Sequence, residues 1–71
     1  MEAKVIDKYE STSTYRVFNV EVDGKKYTYE EFQVYETNSD NNVDFSIQDE
    51  YGKFVSDKEI LQVIFNVVDD N

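Results

Sequence analysis

The side chains that carry out covalent chemistry in most enzymes are largely missing from this chain. It has no cysteine and no histidine, which removes the thiolate nucleophile and the usual general base near neutral pH. Serine, threonine, tyrosine and lysine are present, but no familiar catalytic triad can be assembled from them. Neither phosphate-binding sequence, G-x-x-x-x-G-K-[ST] or G-x-G-x-x-G, occurs. We therefore expect a protein that is not an enzyme and that uses no cofactor.

One segment has the oxygen-rich spacing of a calcium-binding loop. Oxygen-bearing side chains alternate over Asn38–Asp44, and Asp49 is the twelfth residue when the count starts at Asn38. The match fails at three positions, because Asn replaces the opening Asp, Val43 replaces the turning Gly and Asp49 replaces the closing Glu. We therefore predict a solvated loop that leads into a strand, and no metal site.

Acidic residues are concentrated in the middle of the chain. Sixteen acidic residues against seven basic ones give a net charge of −9. Residues 1–26 contain equal numbers of acids and bases, whereas residues 27–52 contain only acids. Because this charge is repelled by nucleic-acid phosphates and by anionic membranes, we predict no direct binding to either. A basic protein surface is the favoured partner.

The acidic segment also contains two tyrosines, a residue type that is enriched at the energetic centres of interfaces. The predicted partner-binding residues are therefore Glu30, Glu31, Tyr35, Glu36, Asp40, Asp44, Asp49, Glu50 and Tyr51. The alternative is that these carboxylates are ordinary solvated surface that keeps a small protein soluble.

The elements that would position these residues begin with a β-hairpin. Asp23-Gly24 suits a two-residue type I′ turn, and it lies between two stretches rich in β-branched and aromatic residues, Tyr15–Val22 and Lys25–Tyr29. The turn predicts the cross-strand pairs Val22–Lys25, Val20–Tyr27, Phe18–Tyr29, Arg16–Glu31, Glu21–Lys26 and Asn19–Thr28. At Glu30-Glu31 the alternation of apolar residues shifts phase, which predicts a β-bulge or bend.

Further strands are predicted on both sides of this hairpin. Val43–Gln48 alternates apolar and polar residues like a strand with one buried face, and Ala3–Tyr9 shows a weaker strand pattern. The sequence Asp49–Gly52 predicts a second turn, followed by a short strand over Lys53–Val55.

The C-terminal segment has the period of a helix. Ser56 and Glu59 match a capping box, and polar residues recur at helical spacing in the residues that follow. We predict a helix over Asp57–Val68 whose apolar stripe is unusually wide because Val63 and Val67 extend it. Either the sheet curls around this stripe or another chain covers its second flank.

These elements together predict one small α+β domain over residues 1–71. Its expected order is β-β-β-(β)-α, an antiparallel sheet of three to four strands with one C-terminal helix on one face. We expect a cytoplasmic location, because the N-terminal residues lack the apolar stretch of a signal peptide and the longest apolar run is too short to span a bilayer.

Two functional hypotheses follow from charge and size. By analogy only, very small acidic proteins that lack cysteine and are rich in aromatic residues recur among phage-encoded inhibitors of host nucleic-acid enzymes. The first hypothesis is therefore a non-catalytic module that docks on a basic nucleic-acid-binding enzyme, in the extreme case by mimicking DNA. The alternative is a small structural or assembly protein that forms a homodimer through its apolar helix.

Overall fold

A four-stranded antiparallel sheet followed by one helix makes up the fold. The computed structural model describes residues 1–11, 15–34 and 42–71. The elements are β1 (Ala3–Ser11), β2 (Tyr15–Val22), β3 (Lys25–Val34), β4 (Asn42–Asp49) and α1 (Lys58–Asp69). The strands follow one another in the sheet in chain order, β1-β2-β3-β4. The predicted α+β class is confirmed.

The hairpin of β2 and β3 has the predicted register. Asp23 and Gly24 both have positive φ angles, 49° and 83°, as a type I′ turn requires. Phe18 pairs with Tyr29, and every other predicted pair is also present. The two-residue turn fixes this register, because a slip by one residue would turn the apolar face away from the helix.

The irregularity of the sheet lies in β1, and the predicted bulge at Glu30-Glu31 is wrong. β3 pairs without interruption with both of its neighbours through this dipeptide. In β1 the register shifts between Val5 and Asp7, where Ile6 is the extra residue. Phe32, which suggested a change of phase, is instead an apolar residue on the second face of a regular strand.

The core lies between one face of the sheet and α1. It consists of Phe18, Val20, Val22, Tyr27, Tyr29 and Ile47 from the strands with Ile64 and Val68 from the helix. The strand residues belong to one alternating set, so a single face of the sheet supplies all of them. Aromatic rings extend this core towards β4, where the Phe45 and Phe65 ring centroids are 5.1 Å apart.

A tight connection joins β4 to the helix. The Asp49 carboxylate accepts hydrogen bonds from the backbone N–H groups of Tyr51 and Lys53, at 2.9 Å and 3.0 Å. The predicted strand over Lys53–Val55 is reduced to one bridge, between Phe54 and Gln48. The Val55 N–H nevertheless donates to the Ile47 carbonyl at 2.9 Å, so this segment lies along the outer edge of β4.

The helix begins one residue later than predicted, and its N-cap is Asp57. The Asp57 carboxylate accepts from the backbone N–H groups of Glu59 and Ile60. The predicted capping box with Ser56 as the cap is therefore wrong, because the carboxylate one residue further on takes its place. A negative charge here also interacts favourably with the helix dipole. Within the described residues no helix is long and apolar enough to cross a membrane.

Replacing Asp57 by alanine is expected to lower the free energy of unfolding by about 1 kcal/mol, because two N–H groups of the first helical turn lose their acceptor. Urea denaturation followed by circular dichroism measures this change. Ser56→Ala is the matched control and should leave the midpoint unchanged. A larger loss for Ser56→Ala would restore Ser56 as the cap.

Candidate partner-binding surface

The face of the sheet that points away from α1, which we call the open face, carries half-buried and exposed side chains. It is supplied by the residues that alternate with the buried set, such as Val17 between Arg16 and Phe18, and Thr28 between Tyr27 and Tyr29. The bulge at Ile6 changes the phase of β1, so Tyr9 pairs with Val17 and belongs to the open face. Without that extra residue Tyr9 would belong to the helix side.

Aromatic side chains cluster at one end of the open face. Tyr15 lies directly opposite Phe32 on the neighbouring strand, and the Tyr9 and Tyr15 ring centroids are 6.2 Å apart in an edge-to-face arrangement. Tyr9 is 59% exposed and Phe32 is 40% exposed, while Tyr15 and Val17 are half-buried. We call Tyr9, Tyr15, Val17 and Phe32 the aromatic patch.

Two carboxylates border the aromatic patch. Asp44 lies opposite Phe32 on β4, and Glu30 precedes Phe32 by two residues on the same face of β3. Neither carboxylate takes part in the ion pairs of the described residues, which are Lys4–Glu21, Lys8–Glu10 and Arg16–Glu31. On β3 the open-face base Lys26 is four residues from Glu30, about 14 Å along the strand. This end of the open face is therefore both aromatic and acidic.

Glu31, the neighbour of Glu30, lies on the helix side of the sheet and has a structural role. Its carboxylate binds the Arg16 guanidinium through two oxygens, with the Nε–Oε1 and Nη2–Oε2 distances at 2.9 Å and 3.0 Å. The Tyr29 hydroxyl donates to Glu31 Oε2 at 2.8 Å, and the guanidinium carbon lies 5.3 Å from the centre of the Phe18 ring. Glu31 is thus occupied within the domain.

The Tyr29 hydroxyl is expected to make the fold sensitive to high pH. Burial, with the hydrogen bond to Glu31 as the second cause, raises the pKa of Tyr29 well above its ordinary value. The folded state holds this proton more tightly than the unfolded state does. The contribution of the Tyr29 hydroxyl to the stability of the fold is therefore complete below about pH 10, and it is lost as the pH rises towards the folded pKa. Tyr29→Phe should therefore lose less stability than the wild type between pH 9 and 11. Thermal unfolding across that range measures the difference, and parallel curves for the two proteins would contradict it.

A second group of predicted residues lies at the opposite end of β4. The turn holds Asp49 and Glu50, and Tyr51 projects from it with 81% of its surface exposed. Asp44 and Asp49 are five residues apart, about 17 Å along the strand, so this turn is separate from the aromatic patch. An open groove of about 420 Å³ runs between the turn and the start of α1. Phe54, 75% exposed, also lines it.

The predicted partner-binding residues are therefore distributed over three places. Glu30 and Asp44 share the open face, Glu31 belongs to the helix side, and the turn after β4 holds Asp49, Glu50 and Tyr51. Tyr35, Glu36 and Asp40 lie outside the described residues. The sequence reasoning missed Tyr9, Tyr15 and Phe32. Carrying the predicted hairpin register one residue further, beyond the pair Arg16–Glu31, would have placed Tyr15 opposite Phe32.

These surfaces offer aromatic rings and carboxylates. Within residues 1–11, 15–34 and 42–71 no group of three or more acidic side chains is arranged to hold a metal ion. Comparison with protein-family models, with curated proteins and with solved structures gives no match to this chain. The open face consequently has to be interpreted from its own residues.

Proposed function

We propose that this protein is a non-catalytic binding module that docks on a basic protein surface through the aromatic patch together with Glu30 and Asp44. The observation that carries the proposal is that, at one end of the open face, the exposed rings of Tyr9 and Phe32 lie near Glu30 and Asp44, whose carboxylates form no ion pair among the described residues. Rigid aromatic side chains supply contact area at interface centres, and uncompensated charge attracts and orients a partner of opposite sign.

The net charge of −9 favours a basic partner through the charge of the whole chain as well as through the patch. Long-range attraction speeds the encounter with a basic partner and weakens as salt is added. The largest basic surfaces in cells belong to nucleic-acid-binding proteins, so the specific form of the proposal is an inhibitor that covers the basic cleft of such an enzyme. The placement of Glu30 and Glu31 on opposite faces favours docking through one patch over imitation of a continuous phosphate track.

The proposal is tested with the wild-type chain and with two double variants of equal charge. Glu30→Gln with Asp44→Asn removes both patch carboxylates, and Glu50→Gln with Asp70→Asn removes two exposed carboxylates elsewhere. Partners are captured from a bacterial lysate and identified, and the affinity is then measured with the purified partner at 50 and 300 mM salt. We expect the patch variant to bind at least about tenfold more weakly, a loss of about 1.4 kcal/mol, and the control variant to bind nearly as well as the wild type.

The outcome also separates the two forms of the proposal. Equal losses for the two double variants, together with a steep dependence on salt, would show that total charge drives binding and would favour DNA mimicry over patch docking. A partner that is not basic, or undiminished binding by the patch variant, would overturn the proposal.

A homodimer through α1 is the second candidate function, and one observation favours it. Of the apolar residues of the helix only Ile64 and Val68 are buried, while Val63 and Val67 on one flank remain half-buried. Covering such a flank is a common reason for small domains to associate. Sedimentation should then give a dimer that tolerates salt and dissociates on Val67→Asp. A monomer at millimolar concentration would exclude this function.

A further inference from the structure

We infer that the feature recognised by the aromatic patch is an arginine side chain of a protein partner, with its guanidinium stacked on Phe32 between Glu30 and Asp44. This inference rests on the proposed function and specifies its partner. Directly opposite side chains in an antiparallel pair have Cβ atoms about 5 Å apart, which places Asp44 beside the Phe32 ring. Glu30 is two residues away on the same face, about 7 Å along β3.

Arginine fits this arrangement better than lysine does. Its planar guanidinium stacks on an aromatic ring while its edges donate hydrogen bonds to carboxylates on two sides. A lysine ammonium is a compact and strongly hydrated charge, and it has no flat face with which to stack on a ring. Tyr15, on the other side of Phe32, offers apolar surface for the aliphatic stem of the arginine.

The helix side of β2 and β3 shows how these residue types hold a guanidinium. Arg16 lies over the Phe18 ring, 5.3 Å from its centre, and binds the Glu31 carboxylate through two oxygens. The open face brings together the same residue types on β3 and β4, with Phe32 as the ring and Glu30 and Asp44 as the carboxylates. It differs in having two carboxylates and no base of this chain bound to them among the described residues.

The flanking charges argue against the other common use of aromatic rings on an open sheet. Proteins that stack single-stranded nucleotide bases on such rings combine them with a positively charged groove for the phosphates. Here Phe32 has Asp44 directly opposite it on β4 and Glu30 two residues away on β3, and both carboxylates would repel a phosphate backbone. A cationic protein side chain is the ligand that uses both the rings and the charges.

The inference is tested with two probes of equal charge, acetylated and amidated hexa-arginine and hexa-lysine, titrated into the ¹⁵N-labelled chain and followed by NMR. We expect hexa-arginine to bind at least about tenfold more tightly at 150 mM salt, with the largest shifts at the amides of Glu30, Phe32 and Asp44. Phe32→Leu should abolish the preference for arginine while leaving the charge-driven binding of both peptides. Because Phe32 lies outside the core, the Phe32→Leu variant should otherwise keep the amide spectrum of the folded protein.

Four results would overturn the inference, and the first of them separates it from the proposed function. Equal binding of the two peptides at the patch would overturn the preference for arginine, but it would not contradict the proposal that the partner is basic. Shifts confined to the turn around Tyr51, or no binding of either peptide, would overturn the inference and the proposed function together. Binding of single-stranded oligothymidine at the patch would also overturn both, because it would identify a nucleic-acid ligand.

Discussion

Phe18→Ala is expected to leave most of the chain unfolded at 37 °C. Phe18 is completely buried, and its ring packs edge-to-face on Tyr29 with the centroids 6.0 Å apart. Removing a core phenylalanine costs about 3–5 kcal/mol, since the transfer energy is lost and a cavity remains. A single core in a domain of fewer than about 80 residues rarely supplies more than about 3–5 kcal/mol of stability, and this chain has no disulfide to add to it.

The matched control for this variant is Phe45→Ala. Phe45 contacts the rings of Tyr29 and Phe65 but is 53% exposed, so its removal leaves no enclosed cavity. Chemical denaturation should give a loss for Phe45→Ala of less than half that for Phe18→Ala. Equal losses for the two variants would mean that the core is centred on β4 and the aromatic cluster instead of on β2.

The adjacent carboxylates Glu30 and Glu31 are expected to have different roles, because Glu31 stabilises the fold and Glu30 binds the partner. Glu31→Gln removes the negative charge that holds Arg16, and hydrogen bonds to charged groups contribute about 1.5–3 kcal/mol when buried. Since the Arg16 side chain is 37% exposed, solvent screening reduces the expected loss to about 1–2 kcal/mol. Glu30→Gln should change stability by less than about 0.5 kcal/mol, as surface substitutions usually do.

Both variants are compared by urea denaturation and by affinity for the purified partner. Glu31→Gln should unfold at lower urea and bind normally while folded, whereas Glu30→Gln should unfold like the wild type and bind more weakly. If one of these variants both lost stability and bound the partner more weakly, the two faces of the sheet would not be independent. A loss of stability for Glu30→Gln alone would contradict the placement of the ion pair.

The register of the hairpin could be predicted as far as Arg16 and Glu31 because local chemistry determines it. Asp23-Gly24 accepts the positive φ angles of a type I′ turn, and the two-residue loop then fixes every pair up to Arg16 and Glu31. The helix was predicted to within a residue for a similar reason, since its polar stripe and its capping residues are close together in sequence. The exact cap was missed because Ser56 and Asp57 are both good N-cap residues, and only the backbone geometry selects between them.

The aromatic patch could not be predicted because apolar residues were assigned to a single core. Phe32 follows Glu31 on the opposite face of a regular strand, and that pattern resembles a bulge when only one face is expected to be apolar. The true bulge at Ile6 lies in a strand whose mixed side chains give no clear alternation, so no local signal identifies it. The position of Tyr9 depends on this bulge and is therefore a property of the folded sheet.

Both edges of the sheet are arranged in a way that discourages fibril growth. An open edge is a template on which further chains add strands, and interruptions or charges along it prevent that addition. Over Ile47–Asp49 the edge of β4 is occupied by the segment that leads to the helix. On the other side, β1 is kinked at Ile6 and carries Lys4 and Lys8 on either side of the kink. We therefore expect concentrated solutions of the folded protein to remain free of amyloid, despite the exposed aromatic rings of its open face.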